Sequence, residues 1–89
     1  MVSKEESRIK ALVEEIINHW DPIELLPYAP KDEYEPEINN IIEILVETQD
    51  VFALASEIEQ IFTRNFGADL FNRSIDECMA IAASIISLI

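Results

Sequence analysis

Apolar residues recur three and four positions apart along most of the chain, the spacing that puts them on one face of an α-helix. Ile9, Leu12, Val13, Ile16, Ile17 and Trp20 form the first such face. Ser3 with Glu6 makes a capping-box pattern ahead of it, and Asp21-Pro22 stops it. Glu6 and Lys10 stand at i,i+4 in the order that favours pairing. Ile38, Ile41, Ile42, Leu45 and Val46 predict a second helix over about 36–47, with Asn39, Asn40, Glu43 and Glu47 facing water. Thr48-Gln49-Asp50 breaks the pattern, and Thr48 or Asp50 can cap the next helix. That third helix is predicted over 51–66, with Val51, Leu54, Ala55, Ile58, Ile61, Phe62 and Phe66 inward. Gly67, the only glycine, falls where a left-handed residue closes a helix. Residues 68–73 connect, with Leu70 and Phe71 expected against the core. Ser74 and Glu77 repeat the capping box before a fourth helix that turns Ile75, Cys78, Met79, Ala82, Ile85, Ile86 and Ile89 inward. Ile81 and Leu88 widen its apolar surface beyond one stripe, as in a helix that is central or covered by a partner. The prediction is an all-α fold: one domain over 1–89, a small four-helix bundle-like domain, mostly antiparallel because the last two connections are short.

The interruption lies between the first two helices. Residues 20–36 hold all four prolines (Pro22, Pro27, Pro30, Pro36) and both tyrosines, Tyr28 and Tyr34. Each proline removes an N–H and fixes φ, so neither helix nor sheet continues through them. Asp21-Pro22 reads as an N-cap and first helical position for a short turn over 22–26, with 28–30 extended beyond it. Asp32, Glu33 and Glu35 suit the start of the second helix, where backbone N–H groups are unpaired. The segment is too apolar for a solvated linker. It reads as a proline- and tyrosine-rich strap in which Trp20, Leu25, Leu26 and one tyrosine plug one end of the bundle. A rigid aromatic and acidic loop is also a recognition edge.

Charge sharpens that second reading. The net charge is −12, and residues 11–63 carry all of it: thirteen acids against one base, Lys31. Such a field repels phosphate, which argues against nucleic acid and anionic membranes as partners, and it steers a basic protein inward. Asp21, Tyr28, Asp32, Glu33, Tyr34, Glu35 and Glu37 are the candidate protein-binding residues. The acids would steer, the tyrosines would anchor, and charge reversal at Asp32 and Glu33 should slow association.

Catalytic chemistry is not encoded in any recognisable pattern. His19 is the only histidine and Cys78 the only cysteine, so no metal spacing and no internal disulfide is available. A phosphate loop needs several glycines. Residues 32–37 have the charge of a calcium loop without its glycine or spacing. A carboxylate di-metal bundle needs a Glu-x-x-His from each of two helices. We expect no enzyme, no cofactor and no metal site. Cys78 and Met79 read as core, and His19 as a surface residue in the last turn of the first helix. The apolar run 79–89 is too short to span a bilayer, and the first residues do not form a signal peptide. A cytoplasmic location is expected.

Trp20, Asp21, Pro22, Ile23, Leu26, Pro27, Ala29, Pro30, Asp32, Glu33 and Tyr34, followed by an isoleucine-rich helix, resemble the pattern of the YugE-like proteins of bacilli and relatives. These form a domain-of-unknown-function family also found in phage-derived and toxin–immunity settings. The resemblance extends to the Phe66-Gly67 helix end and the Glu77-Cys78 start of the last helix. It implies a small all-helical fold and no established activity. Two functions are expected from these readings. One is a non-enzymatic acidic protein-binding module, such as an immunity or inhibitor protein for a basic partner. The other is a self-associating structural or regulatory protein with no basic partner, a homo-oligomer that covers Ile81, Leu88 and Ile89 of the last helix.

Overall fold

A computed structural model of the protein describes residues 4–23 and 34–89, with side chains from Arg8 onward. Four helices come in order: α1 (Lys4–Trp20), α2 (Glu35–Glu47), α3 (Val51–Phe66) and α4 (Ile75–Leu88), with no strand among the described residues. Ser3 and the side chain of Glu6, expected to cap α1 and to pair with Lys10, lie outside the described residues. Lys10 reaches across to Glu35 on α2, Nζ to Oε1 3.1 Å.

The helix ends obey local chemistry. Asp50 caps α3 by accepting from the Ala53 N–H at 2.8 Å, while Thr48 Oγ1 accepts from the Asp50 N–H. Ser74 caps α4 by accepting from the Glu77 N–H at 3.2 Å. Only half of that capping box forms, because the Glu77 carboxylate turns away toward Trp20. Helix α2 begins one residue before the expected proline: Tyr34 takes the N-cap position without a side-chain cap, and Pro36 sits in the first turn. Gly67 ends α3, with its N–H bonded to Thr63 O. Its backbone (φ 86°, ψ 154°) lies in the glycine-only extended region rather than the left-handed helical one, and its carbonyl accepts from both Leu70 and Phe71 N–H. Asp21 closes α1 as expected, its N–H on Ile17 O at 2.9 Å, but its φ of 46° is not that of an N-cap. A short polar residue is among the few that tolerate this conformation. Pro22 and Ile23 form a turn, and the rest of the expected turn, 24–26, lies outside the described residues.

Each helix packs against two neighbours, in the cycle α1–α2–α3–α4–α1. The C-terminal ends of α1 and α3 meet the N-terminal ends of α2 and α4 at one pole, as an antiparallel bundle requires. Val13, Ile17, Ile38, Ile41, Leu54, Ile58, Ile61, Phe62, Cys78, Ala82 and Ile85 fill the centre. A fully buried side chain of this size contributes about 1.5–3 kcal/mol. Three expected core residues stand outside. Val46 is 84 % exposed on the far side of the α2 stripe, Leu70 is 58 % exposed where the chain turns after Gly67, and Ile75 is exposed in the first turn of α4. Phe71 goes inward as expected.

Candidate binding surfaces

The aromatic pole is the most constructed part of the molecule. Tyr34 is fully buried, on the same face of α2 as Ile38, Ile41 and Leu45. Its ring meets Phe62 and Phe66 edge-on, with centroids at 5.9 and 6.2 Å. Its hydroxyl donates to Asp21 Oδ1 at 2.5 Å and accepts from the Ile23 N–H at 3.2 Å. Trp20 lies edge-on to Phe62 and Phe71, and its indole N–H donates to Glu77 Oε2 at 2.6 Å. Arg73 donates from Nε to Pro22 O at 3.2 Å and lies 3.5 Å from the same Glu77 oxygen. The described ends of the strap, Trp20–Ile23 and Tyr34, are thereby tied to α2 and α4. A tryptophan or tyrosine buried in this way needs such partners.

This arrangement separates the seven candidate residues. Tyr28, Asp32 and Glu33 lie outside the described residues. Tyr34 is a core residue and presents no surface to a partner; Asp21, half-buried, accepts its hydroxyl. Glu35 is exposed and paired with Lys10. Glu37 is 4 % exposed, with Oε2 accepting from Asn65 Nδ2 at 2.7 Å and Oε1 buried without a hydrogen-bond partner. The signal for its burial was present in the sequence, since Glu37 precedes Ile41 by one helical repeat and so falls on the inward stripe. Beyond Glu35, the described acids that stand exposed are Glu14 and Glu15 on α1, Glu43 and Glu47 on α2, Asp50 at the turn between α2 and α3, Asp69 after Gly67 and Asp76 at the start of α4.

A second feature was not assembled from the sequence. Leu12, Ile16 and Trp20 on α1 and Ile81 and Leu88 on α4 line an open groove of about 550 Å³. Glu15, His19 and Ser84 border it. Leu12 and Ile16 were expected in the core; they are half-buried and form one wall, because α1 and α4 do not close over them. The available signal was the extra apolar width that Ile81 and Leu88 give α4.

A family model described as a domain of unknown function, DUF1871, matches residues 12–89. The chain belongs to the DUF1871 family. The span shared with DUF1871 contains the aromatic pole and both walls of the groove. No match was found among curated proteins or among solved structures.

The chemistry open to this DUF1871 domain is limited by its side chains. Among the described residues no group of three or more His, Cys, Asp or Glu is placed to hold a metal ion. Cys78 is buried, and its thiol is pushed up to about 11 by that burial and by the carboxylates of Glu59 and Glu77. A thiol so placed is a poor nucleophile. His19 is exposed on the groove's edge, and no described helix is long and apolar enough to cross a membrane.

Proposed function

We propose that this DUF1871 protein is a non-enzymatic, acidic protein-binding module for a basic protein partner. The observation that carries the reading is the exposure of Glu14, Glu15, Glu43, Glu47 and Asp50 on a chain of net charge −12. Lys10 and Arg73, two of its six bases, are already engaged with Glu35 and Glu77. An acidic surface of this kind accelerates encounter with a cationic partner and does so less at high salt. An immunity or inhibitor role against a basic toxin is the form of the reading that the YugE-like motif favours. The same motif supports a bacterial setting, and the single cysteine is in keeping with a reducing cytoplasm.

The test is co-purification from host lysate at low ionic strength, with a salt step for elution. A stoichiometric basic protein is expected, released by salt and lost when Glu14 and Glu15, or Glu43 and Glu47, are replaced by lysine. Recovery that is indifferent to salt and to both charge reversals would contradict the reading. Leu88, 51 % exposed beside Ile81 on the groove, favours a second reading, self-association through the last helix. A monomer whose mass in light scattering does not change with concentration removes it.

A further inference from the structure

We infer that the groove between α1 and α4 is a docking cleft for one amphipathic helix of a basic partner, with leucine-like anchors at i, i+3 or i+4, and i+7. The inference rests on the binding-module reading above and names its site.

Length is the first argument. The α1 wall runs from Leu12 to Trp20 and the α4 wall from Ile81 to Leu88. These are steps of eight and seven residues, about 12 and about 10.5 Å at about 1.5 Å per residue. The shorter is also the span from i to i+7 along a docked helix, the spacing at which helix-in-groove recognition places its anchors. Chemistry is the second. The floor is aliphatic and aromatic, with Leu12, Ile16, Trp20, Ile81 and Leu88 facing the opening, and it is open on the solvent side rather than closed around a small molecule. Charge is the third. Glu15 stands on the rim with Glu14 beside it in sequence, both exposed, and among the described residues no Lys or Arg lines the groove. A helix with lysine or arginine flanking its apolar face meets the Glu15 carboxylate on that rim. A second copy of this acidic chain would bring like charge to it. Trp20 is the only tryptophan and forms part of the floor, so its emission reports occupancy directly.

The probe is a synthetic peptide of about four helical turns with leucines at i, i+3, i+4 and i+7 and lysines on its polar face. It is titrated against the intact protein while Trp20 fluorescence is monitored. Two peptides serve as controls: the same residues in scrambled order, and the ordered peptide with glutamate in place of each lysine. Saturable binding of the ordered lysine peptide is expected, weakened about ten-fold or more by scrambling and by Leu88→Gln, which removes one apolar anchor site. Leu88 is half-exposed at the end of α4, so the variant should keep the parent's circular dichroism. Glu15→Lys should weaken the lysine peptide and strengthen the glutamate one. Equal binding of the ordered and scrambled lysine peptides, or indifference to Leu88→Gln, overturns the groove as the site while leaving the acidic module standing. Glutamate and lysine peptides binding alike overturns the basic occupant and the charge-based reading with it. Failure of every peptide to bind overturns the inference. So does a dimer that Leu88→Gln converts to monomer in light scattering, since the cleft then belongs to a second copy.

Discussion

Removing one oxygen atom, in Tyr34→Phe, tests whether the aromatic pole holds the first two helices together. The ring stays: phenylalanine keeps the edge contacts with Phe62 and Phe66 and leaves no large cavity. The hydroxyl is lost, and with it the bond donated to the Asp21 carboxylate at 2.5 Å and the one accepted from the Ile23 N–H at 3.2 Å. A hydrogen bond to a charged group is worth about 1.5–3 kcal/mol, and an ordinary one about 0.5–1.5 kcal/mol. The amide can recover part of the second from water, so the expected loss is about 2–3 kcal/mol. Against a total stability of about 5–13 kcal/mol for a chain of 89 residues, that is a large fraction. Urea unfolding monitored by helical circular dichroism should show a lower midpoint at unchanged slope, and Tm should fall by about 4–8 °C per kcal/mol. Asp21→Asn is the companion. Asparagine tolerates the φ of 46° and still offers an oxygen to the hydroxyl, so it removes the charge and little else. The two changes should be non-additive, with a coupling of about 1 kcal/mol or more. A loss below about 0.5 kcal/mol for Tyr34→Phe, the range of ordinary surface changes, would refute the claim that this hydroxyl ties α1 to α2.

Gly67→Ala should cost about 1–3 kcal/mol although its added methyl meets no atom within 4 Å, because the backbone conformation there is one that only glycine adopts readily; urea unfolding reads it. Val46→Thr should leave stability within about 0.5 kcal/mol, while Ile41→Ala on the same helix should cost about 2–5 kcal/mol, since the first is exposed and the second fully buried. Asn65→Ala withdraws the donor from a buried Glu37 oxygen whose neighbour is already unpartnered, and should destabilise by about 1–3 kcal/mol in the same assay. For Cys78, the folded thiol titrates near 11, above its ordinary value of 9.0, so the folded state binds the proton more tightly than the unfolded chain. Its contribution to stability is full below pH 9 and is lost as pH rises toward 11. Alkylation at pH 8 should therefore require unfolding, and a native protein that reacts as fast as a free thiol would contradict the burial.

The period of three and four was enough to place all four helices, and local cap chemistry was enough to end three of them. It did not decide how wide each contact is. Val46 comes directly after Leu45 on the stripe, yet one step of about 100° around the helix carries it to solvent. Leu12 and Ile16 share a face with Val13 and Ile17, and whether they are core or groove depends on how closely α4 approaches, a property of two helices together. Tyr34 and Glu37 read as loop and first-turn residues because proline and charge dominate that stretch. Their position on the stripe of Ile38, Ile41 and Leu45 outweighs both, the tyrosine because its hydroxyl finds Asp21 and the glutamate because one oxygen finds Asn65. Glu77 illustrates a competition that sequence alone leaves open: the capping-box partner was within reach, and the indole of Trp20 took the carboxylate instead.

The most direct test of the binding account is to map, by amide chemical-shift changes in a uniformly labelled sample, where the ordered leucine–lysine peptide lands. The account predicts shifts concentrated along α1 from Leu12 to Trp20 and along α4 from Ile81 to Leu88, with α3 quiet and the pattern fading as salt is raised. Shifts spread evenly over the acidic surface, or centred on α2 and α3 with the groove unmoved, would contradict it.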